Sequence, residues 1–347
     1  MDFDEIKNKD DSTELPDEER ELFEHFRILV DRGQTPLRID KFLSDKIGNK
    51  VSRNRIQNAA KAECILVNGN AVKPNYKIKP SDEIVILLPQ APVDLEILPE
   101  DIPINIVYED DYLAVVNKSA GMVVHPGYNN FNHTLVNALL FHFSKENTNA
   151  QFPLLVHRID KDTSGLLIVA KDEYTQTHLA RQFYEHSTER LYRALVWGDV
   201  EPDSGIISGY ISRSTRDRRM MAVYDNEDDG KWSVTHFNIV ERFGFCTFIE
   251  CKLETGRTHQ IRAHMKHIGH PLFADEMYGG KIIVKGNPTT KFKQFIDNCF
   301  EIMPRQALHA ATLGFLHPVT NKQMLFESSL PDDFEKLLSK IRKMHQS

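Results

Sequence analysis

The residues best equipped to do chemistry sit in one short stretch, His157-Arg158-Ile159-Asp160-Lys161-Asp162-Thr163-Ser164-Gly165. Apolar residues flank it, Leu155-Val156 before and Leu166-Leu167-Ile168-Val169-Ala170 after, so it reads as a short strand, a polar turn and a buried strand. Packing on both sides would fix the turn to a sheet, while Thr163, Ser164 and Gly165 supply local hydrogen bonds and a permissive backbone. A carboxylate held that rigidly, Asp160 above all, is equipped to act as nucleophile or base, or to stabilise positive charge as carboxylates do in glycoside chemistry. The plainer reading is that Asp160 only caps the turn.

A second constellation is Glu254-Thr255-Gly256-Arg257-Thr258-His259-Gln260-Ile261-Arg262-Ala263-His264-Met265. Thr258 is placed to cap a helix whose Ile261, Met265 and Ile268 form an apolar stripe, with His259, Arg262 and Lys266 along an adjoining basic edge. Arg262 is thus aimed at something acidic. Tyr192 stands between Arg190 and Arg193 in an alternating, strand-like run. An aromatic there is usually core, yet a Tyr ring can also stack on a base and its hydroxyl can carry a proton. His259, His264, His267 and His270 invite a metal, but separations of five, three and three residues put at most two or three on one helix face, so none is expected.

The nine residues from His157 to Gly165 closely resemble the active-site motif of the RluA family of RNA pseudouridine synthases, with Ile159 where Leu is usual. The resemblance runs from about Leu37 to Pro331. It implies that Asp160 is the catalytic carboxylate, that Arg158 helps hold the target nucleotide out of the RNA stack, and that Tyr192 packs on the target base. It also implies that Arg262, the last residue of Gly-Arg-Thr-His-Gln-Ile-Arg, makes a salt bridge with Asp160 and keeps it ionised. His157, Arg257 and His259, from the same motifs, are expected at the substrate. Asn117-Lys118-Ser119-Ala120-Gly121-Met122-Val123-Val124-His125-Pro126 matches the family's first motif, whose role is to shape the cleft floor, so His125 is read as a packed histidine. Arg305-Gln306-Ala307-Leu308-His309-Ala310 and Leu316-His317-Pro318 match its closing strand.

Arg38-Ile39-Asp40-Lys41-Phe42-Leu43, Ser52-Arg53-Asn54-Arg55-Ile56-Gln57 and Ile65-Leu66-Val67-Asn68-Gly69 resemble the RNA-binding module shared with the fourth small-subunit ribosomal protein. Residues 36–89 carry ten Lys/Arg against five Asp/Glu, a basic surface suited to phosphates, with Arg53, Arg55 and Lys61 as the expected contacts. The implied fold class is α+β: a small N-terminal RNA-binding module, then a catalytic domain on a mixed, mainly antiparallel sheet flanked by helices and loops. The implied reaction isomerises uridine in RNA, most in keeping with large-subunit rRNA, and needs no cofactor. A tRNA-directed enzyme, a base-releasing RNA glycosidase and a non-catalytic RNA-binding ribosome-assembly factor are the alternatives.

The elements that must position these residues follow in order. Residues 1–35 form an acidic tail and lead-in, 36–89 the small module, 90–103 a linker, and 104–347 the catalytic domain. The tail accounts for the net charge of -7, because residues 1–21 hold ten Asp/Glu against three Lys/Arg. In the larger domain, residues 106–118 read as two strands about an acidic turn and 121–127 as a further strand and turn. Helices are expected over 134–143, over 173–185 and from Asp332 onward, with a hairpin over 234–240 and 245–253. Arg213, Arg216, Arg218 and Arg219 form a basic loop, equally readable as a solvated loop or as a grip on RNA backbone. The four cysteines show no disulfide or metal spacing, and Cys246 and Cys251, five apart in one strand, must point to opposite faces. No run of roughly 18 apolar residues and no signal peptide occurs, which makes the cytoplasm the expected compartment. No DNA, membrane or obligatory protein partner is expected.

Overall fold

The computed structural model describes residues 23–47, 53–61, 64–88, 97–126, 130, 132–145, 152–287 and 289–345. The chain forms two compact units that divide after Glu96.

In the first unit, strands β1 (Phe23–Leu29), β2 (Ile65–Val67), β3 (Asn70–Ala71) and β4 (Glu83–Leu88) make a sheet in the order β1-β4-β2-β3. Helices α1 (Ile39–Ile47) and α2 (Arg53–Lys61) bury Ile39, Phe42, Leu43, Ile56 and Ala60 against Ile65, Val67, Ile84 and Ile86 of that sheet. The Asn68-Gly69 turn between β2 and β3 takes positive φ at both residues, 50° and 80°, the conformation this residue pair tolerates. β1 lies in the expected lead-in yet pairs antiparallel with β4, so the sheet begins ahead of residue 36. The acidic residues 1–21, and Ser52 of the second module motif, lie outside the described residues.

The second unit is built on a larger sheet, β11-β10-β12-β13-β9-β14-β8-β6-β5, with β15 paired to β14 and β7 to β8. Its strands are β5 (Asn105–Glu109), β6 (Leu113–Lys118), β7 (Leu154–Leu155), β8 (Ser164–Ala170), β9 (Glu189–Trp197) and β10 (Ser204–Arg213). Then follow β11 (Met221–Tyr224), β12 (Lys231–Arg242), β13 (Cys246–Leu253), β14 (Leu308–Leu316) and β15 (Gln323–Glu327). Among the described residues only the β8–β14 pairing is parallel.

Alternation along the central strands sorts side chains to two faces. Ala114, Val116, Leu167, Val169, Ala194 and Val196 pack with Leu135, Leu139 and Phe143 of α3 (Leu135–Lys145) and with Ile261 and Met265 of α5 (Gln260–His267). Leu113, Val115, Leu166 and Ile168 face Leu179 of α4 (Glu173–Tyr184) instead. Leu195, Trp197 and Phe248 meet α6 (Thr290–Ile302) and α7 (Asp332–His345). Cys251 belongs to the first of these clusters and Cys246 to the last, on opposite faces as their spacing requires.

Two expectations are corrected. The described part of 121–127 forms no strand; instead the Val123 and Val124 carbonyls accept from Leu135 N (2.8 Å) and Val136 N (3.1 Å), satisfying donors at the start of α3, and Gly127 lies outside the described residues. The far end of the expected linker is part of the larger unit, since Asn137 Nδ2 donates to Leu98 O (2.8 Å) and Glu100 N to Asn137 O (3.0 Å). Among the described residues no helix is long and apolar enough to cross a membrane.

Candidate active site

Asp160 lies in the turn between β7 and β8, and the turn is held from every side. Its own carbonyl accepts from Thr163 N (3.1 Å), and the Lys161 carbonyl accepts from Gly121 N (3.0 Å). Lys118 is buried and gives its three ammonium protons to Ser119 O (2.7 Å), Met122 O (2.9 Å) and Lys161 O (2.9 Å), tying the loop after β6 to the Asp160 turn. Burial pulls the Lys118 pKa down to about 7, with Asp162 and Asp160 working against it. From the other side Arg305 donates to Asp162 O (2.9 Å) and Ser164 Oγ (3.3 Å) while forking onto Asp333 of α7. Gly165 has φ +115° and lies against β14, so that a Cβ there would stand 2.2 Å from Ala310 O. Only glycine fits.

The turn opens into a cleft of about 640 Å³ lined by Arg158, Asp160, Tyr192, Arg257, His259 and Arg262 among others. Arg262 reaches across from α5 and donates Nη1 to Asp160 Oδ2 at 3.1 Å. Its other edge forks onto Asp275, Nε to Oδ2 at 2.7 Å and Nη2 to Oδ1 at 2.9 Å, so Asp275 aims the guanidinium at Asp160. Burial works against the charge of Arg262, but the hydrogen bonds and charges of Asp275 and Asp160 outweigh it and raise its pKa. Asp275 lies thirteen residues beyond Arg262 in an irregular turn, and nothing in the periodicity of the chain marks it.

The helix carrying Arg262 starts differently from expectation. Its N-cap is His259, in the left-handed region at φ 53°, and no side chain caps it there. Gln260, the first helical residue, ties down the loop ahead of the helix, its Oε1 accepting from Arg257 N (3.0 Å) and Thr255 Oγ1 (2.8 Å). The strained His259 presents Nε2 to Asp160 Oδ2 at 3.8 Å and pairs Nδ1 with the Tyr278 hydroxyl at 3.0 Å. Tyr278 OH also accepts from Met221 N (2.8 Å), so its one proton goes to Nδ1 and a neutral His259 carries its own proton on Nε2, facing Asp160. Burial pushes the His259 pKa down, Asp160 opposing and Arg262 assisting. Arg262 and Lys266 both lie over the Tyr278 ring, at 4.7 and 5.8 Å.

The remaining expected residues divide. Tyr192 projects from β9 into the cleft, and burial, partly offset by Arg190 and reinforced by Asp160, raises its phenol pKa, which keeps it neutral. Arg158 is exposed on the cleft lip with no side-chain hydrogen bond or ion pair to a described residue. Arg257 lines the cleft and donates Nε to Trp232 O at 3.3 Å. His157 reaches the wall, but its Nε2 accepts from Ile168 N (3.1 Å) and its ring stacks on Phe183 (4.4 Å). That nitrogen is committed to the sheet, and burial takes the pKa down to about 3, so His157 stands in the cleft lining as a neutral ring. The four histidines are dispersed: His264 Nδ1 pairs with Thr235 Oγ1 and His270 Nδ1 with Trp197 O, and among the described residues no group of His, Cys, Asp or Glu is arranged for a metal.

In the small unit Arg53 turns inward. With Arg38 and Gln57 it satisfies Asp40, a fully buried carboxylate that joins α1 to α2, through Arg53 Nη2 (3.1 Å), Arg38 Nη2 (3.0 Å) and Gln57 Nε2 (2.7 Å). The Arg53 side chain is half exposed. Arg55 and Lys61 belong to α2, and their side chains lie outside the described residues. In the basic loop, Arg219 forks onto Asp217 (2.7 Å) and Arg213 donates to Arg218 O (2.6 Å).

A carboxylate pinned in a cleft, paired to a buried arginine and overlooked by an aromatic hydroxyl, defines an enzyme with one acid at its centre rather than a binding platform alone. Residues 112–267 match the family model for RNA pseudouridylate synthase, and residues 37–84 the S4 domain. An RNA pseudouridine synthase of Chlorobaculum parvum is 45% identical over 90% of this chain and 96% of its own. Ribosomal large subunit pseudouridine synthase D of Zymomonas mobilis is 41% identical over 88% and 93%. Human RNA pseudouridylate synthase domain containing 4 shares the fold, with TM-score 0.53 and 20% identity over 69% of this chain and 93% of that one. The chain belongs to the RNA pseudouridine synthase family, enzymes that isomerise uridine in RNA, and carries an S4 RNA-binding domain.

Proposed function

We propose that the protein converts uridines of large-subunit ribosomal RNA to pseudouridine in the cytoplasm, with Asp160 as the catalytic carboxylate. The observation that carries the assignment of Asp160 is its pairing with Arg262 Nη1 at 3.1 Å inside a cleft that also holds Tyr192 and Arg158. Relatives named for the large ribosomal subunit support the substrate.

The reaction breaks the bond between ribose and uracil N1, turns the base, and rejoins it through C5; the C5 proton is given up and N1 gains one, with no net redox change. Asp160 acts either by bonding to sugar or base, or by taking a sugar proton while its charge stabilises the positive centre beside the ring oxygen. Arg262 donates to it and fixes its orientation in the cleft. The uridine must first leave the stack. Arg158, unpaired at the lip, takes the vacated space or the displaced phosphate, and Tyr192 faces the extruded ring. Arg257 and His259 border the same space and contact the target strand.

The test is incubation of the wild type and Asp160→Asn with unmodified large-subunit rRNA and with tRNA, mapping pseudouridine by mass spectrometry. New pseudouridine in rRNA with the wild type alone is the expected outcome. Modification of tRNA instead reassigns the substrate, and turnover by Asp160→Asn removes Asp160 from the chemistry.

A further inference from the structure

We propose that the part of the cleft around Arg190 is a subsite for an RNA phosphodiester adjoining the target uridine, with Arg190 as its cation. The inference rests on the uridine-isomerising reading above and adds a contact that reading does not use. Arg190 stands two residues before Tyr192 on β9, so both side chains leave the same face of the strand and line the same cleft.

Its partners are the unusual feature. The residue is only 6% exposed, yet it pairs with no carboxylate among the described residues. Nη2 donates to Glu254 O at 3.1 Å and to Leu253 O at 3.5 Å, the guanidinium lies 5.2 Å from the Phe183 ring, and the buried Nε has no hydrogen-bond partner among the described residues. The other buried arginines of this unit contrast with it: Arg262 forks onto Asp275 and also reaches Asp160, and Arg305 forks onto Asp333. A guanidinium taken out of water without a counter-ion is costly to the fold, and two carbonyls and a ring offset only part of that. Burial lowers its pKa accordingly.

The surroundings select the missing anion. Arg158, Arg190, Arg257 and Arg262 line the cleft against Asp160 as its one carboxylate among the described residues, and with Arg262 shared between Asp160 and Asp275 the cations remain in excess. Gly256 keeps the approach open, since a Cβ there would stand 2.9 Å from Arg190 Nη1. Tyr184, 83% exposed, and His186 belong to the same lining and offer ring faces to a neighbouring nucleotide. An extruded uridine brings its own flanking phosphates into the cleft, and a phosphodiester supplies acceptor oxygens together with the negative charge that a neutral uracil carbonyl lacks.

The test uses the full chain and the RNA in which pseudouridine formation is scored, comparing wild type, Arg190→Gln and Arg190→Lys. Affinity is measured across roughly 50 to 200 mM salt, where each lost phosphate contact lowers the slope of log affinity against log salt by about 0.7–0.9. Arg190→Gln is expected to lose one such increment, with KM raised more than kcat is lowered. Arg190→Lys, which keeps the charge but not the planar fork, is expected to keep the slope and raise KM. An unchanged slope in folded Arg190→Gln, or an unchanged KM in Arg190→Lys, overturns the subsite. The salt slope needs no turnover, so it decides the subsite even where the wild type forms no pseudouridine, a result that would count against the proposed reaction instead.

Discussion

Removing the Arg262 guanidinium strands a charge in the core, and the cost is calculable from the structure. The Arg262 side chain is 7% exposed and that of Asp275 1%, with their closest atoms 2.7 Å apart. At about 3 Å and an effective dielectric of about 20, two unit charges attract by about 5 kcal/mol. Truncating one partner of such a pair costs about 3–5 kcal/mol, because the other charge stays buried. Arg262→Met should therefore lower Tm by roughly 6–20 °C, at about 2–4 °C per kcal/mol for a unit of this size. Adding Asp275→Asn removes the stranded charge while keeping an acceptor for Tyr278 N, which donates to Asp275 Oδ1 at 3.1 Å. The double variant should recover at least about 2 kcal/mol of the loss. Activity should not return with stability, because Asp160 has still lost a charge-assisted hydrogen bond of about 1.5–3 kcal/mol, roughly ten- to a hundredfold in rate. Urea denaturation and pseudouridine formation are read on the same preparations. A double variant no more stable than the single one, or one that regains full activity, refutes the division of labour between Asp275 and Asp160.

Gly165→Ala should destabilise the larger unit by at least about 3 kcal/mol, because the new Cβ meets the Ala310 carbonyl and φ is +115°; a urea midpoint equal to wild type would contradict it. Arg158→Ala should leave stability within about 0.5 kcal/mol while weakening RNA binding and turnover, since its exposed side chain makes no hydrogen bond or ion pair to a described residue. In the small unit, burial tends to raise the Asp40 pKa, but hydrogen bonds from Arg38, Gln57 and Arg53 outweigh it and bring it from 3.8 to about 2. The folded value is the depressed one, so this contribution is complete above pH 3.8 and is lost as pH falls through about 2. Acid titration followed by circular dichroism should show that loss in wild type and not in Asp40→Asn.

Local signals and distant ones fared differently, and the difference is physical. The strand-turn-strand around Asp160, the Asn68-Gly69 hairpin and the two faces of β13 are written in contiguous spacing, which folding preserves. Val123 and Val124 misled because an apolar pair reads as strand whether its carbonyls meet a neighbouring strand or, as here, the first amides of α3. Thr258 misled because a hydroxyl before a helix is the usual cap, but the helix begins one residue later, with His259 at φ 53° in the cap position and no side-chain cap.

The Arg262–Asp160 pair spans 102 residues, and only resemblance to a family made it visible in advance. Asp275, Lys118 and Arg305 were beyond that reach for a common reason. Each acts on the Asp160 turn through backbone carbonyls or through another side chain, so no residue type at any one position announces the partnership. Yet these contacts decide whether Asp160 is pinned and paired. Lys118 and Arg305 clamp the turn from opposite sides through Lys161 O and Asp162 O, while Asp275 takes the free edge of Arg262 and leaves Nη1 with one place to go. The motif supplies the acid, and three residues outside its turn supply the geometry that makes the acid usable.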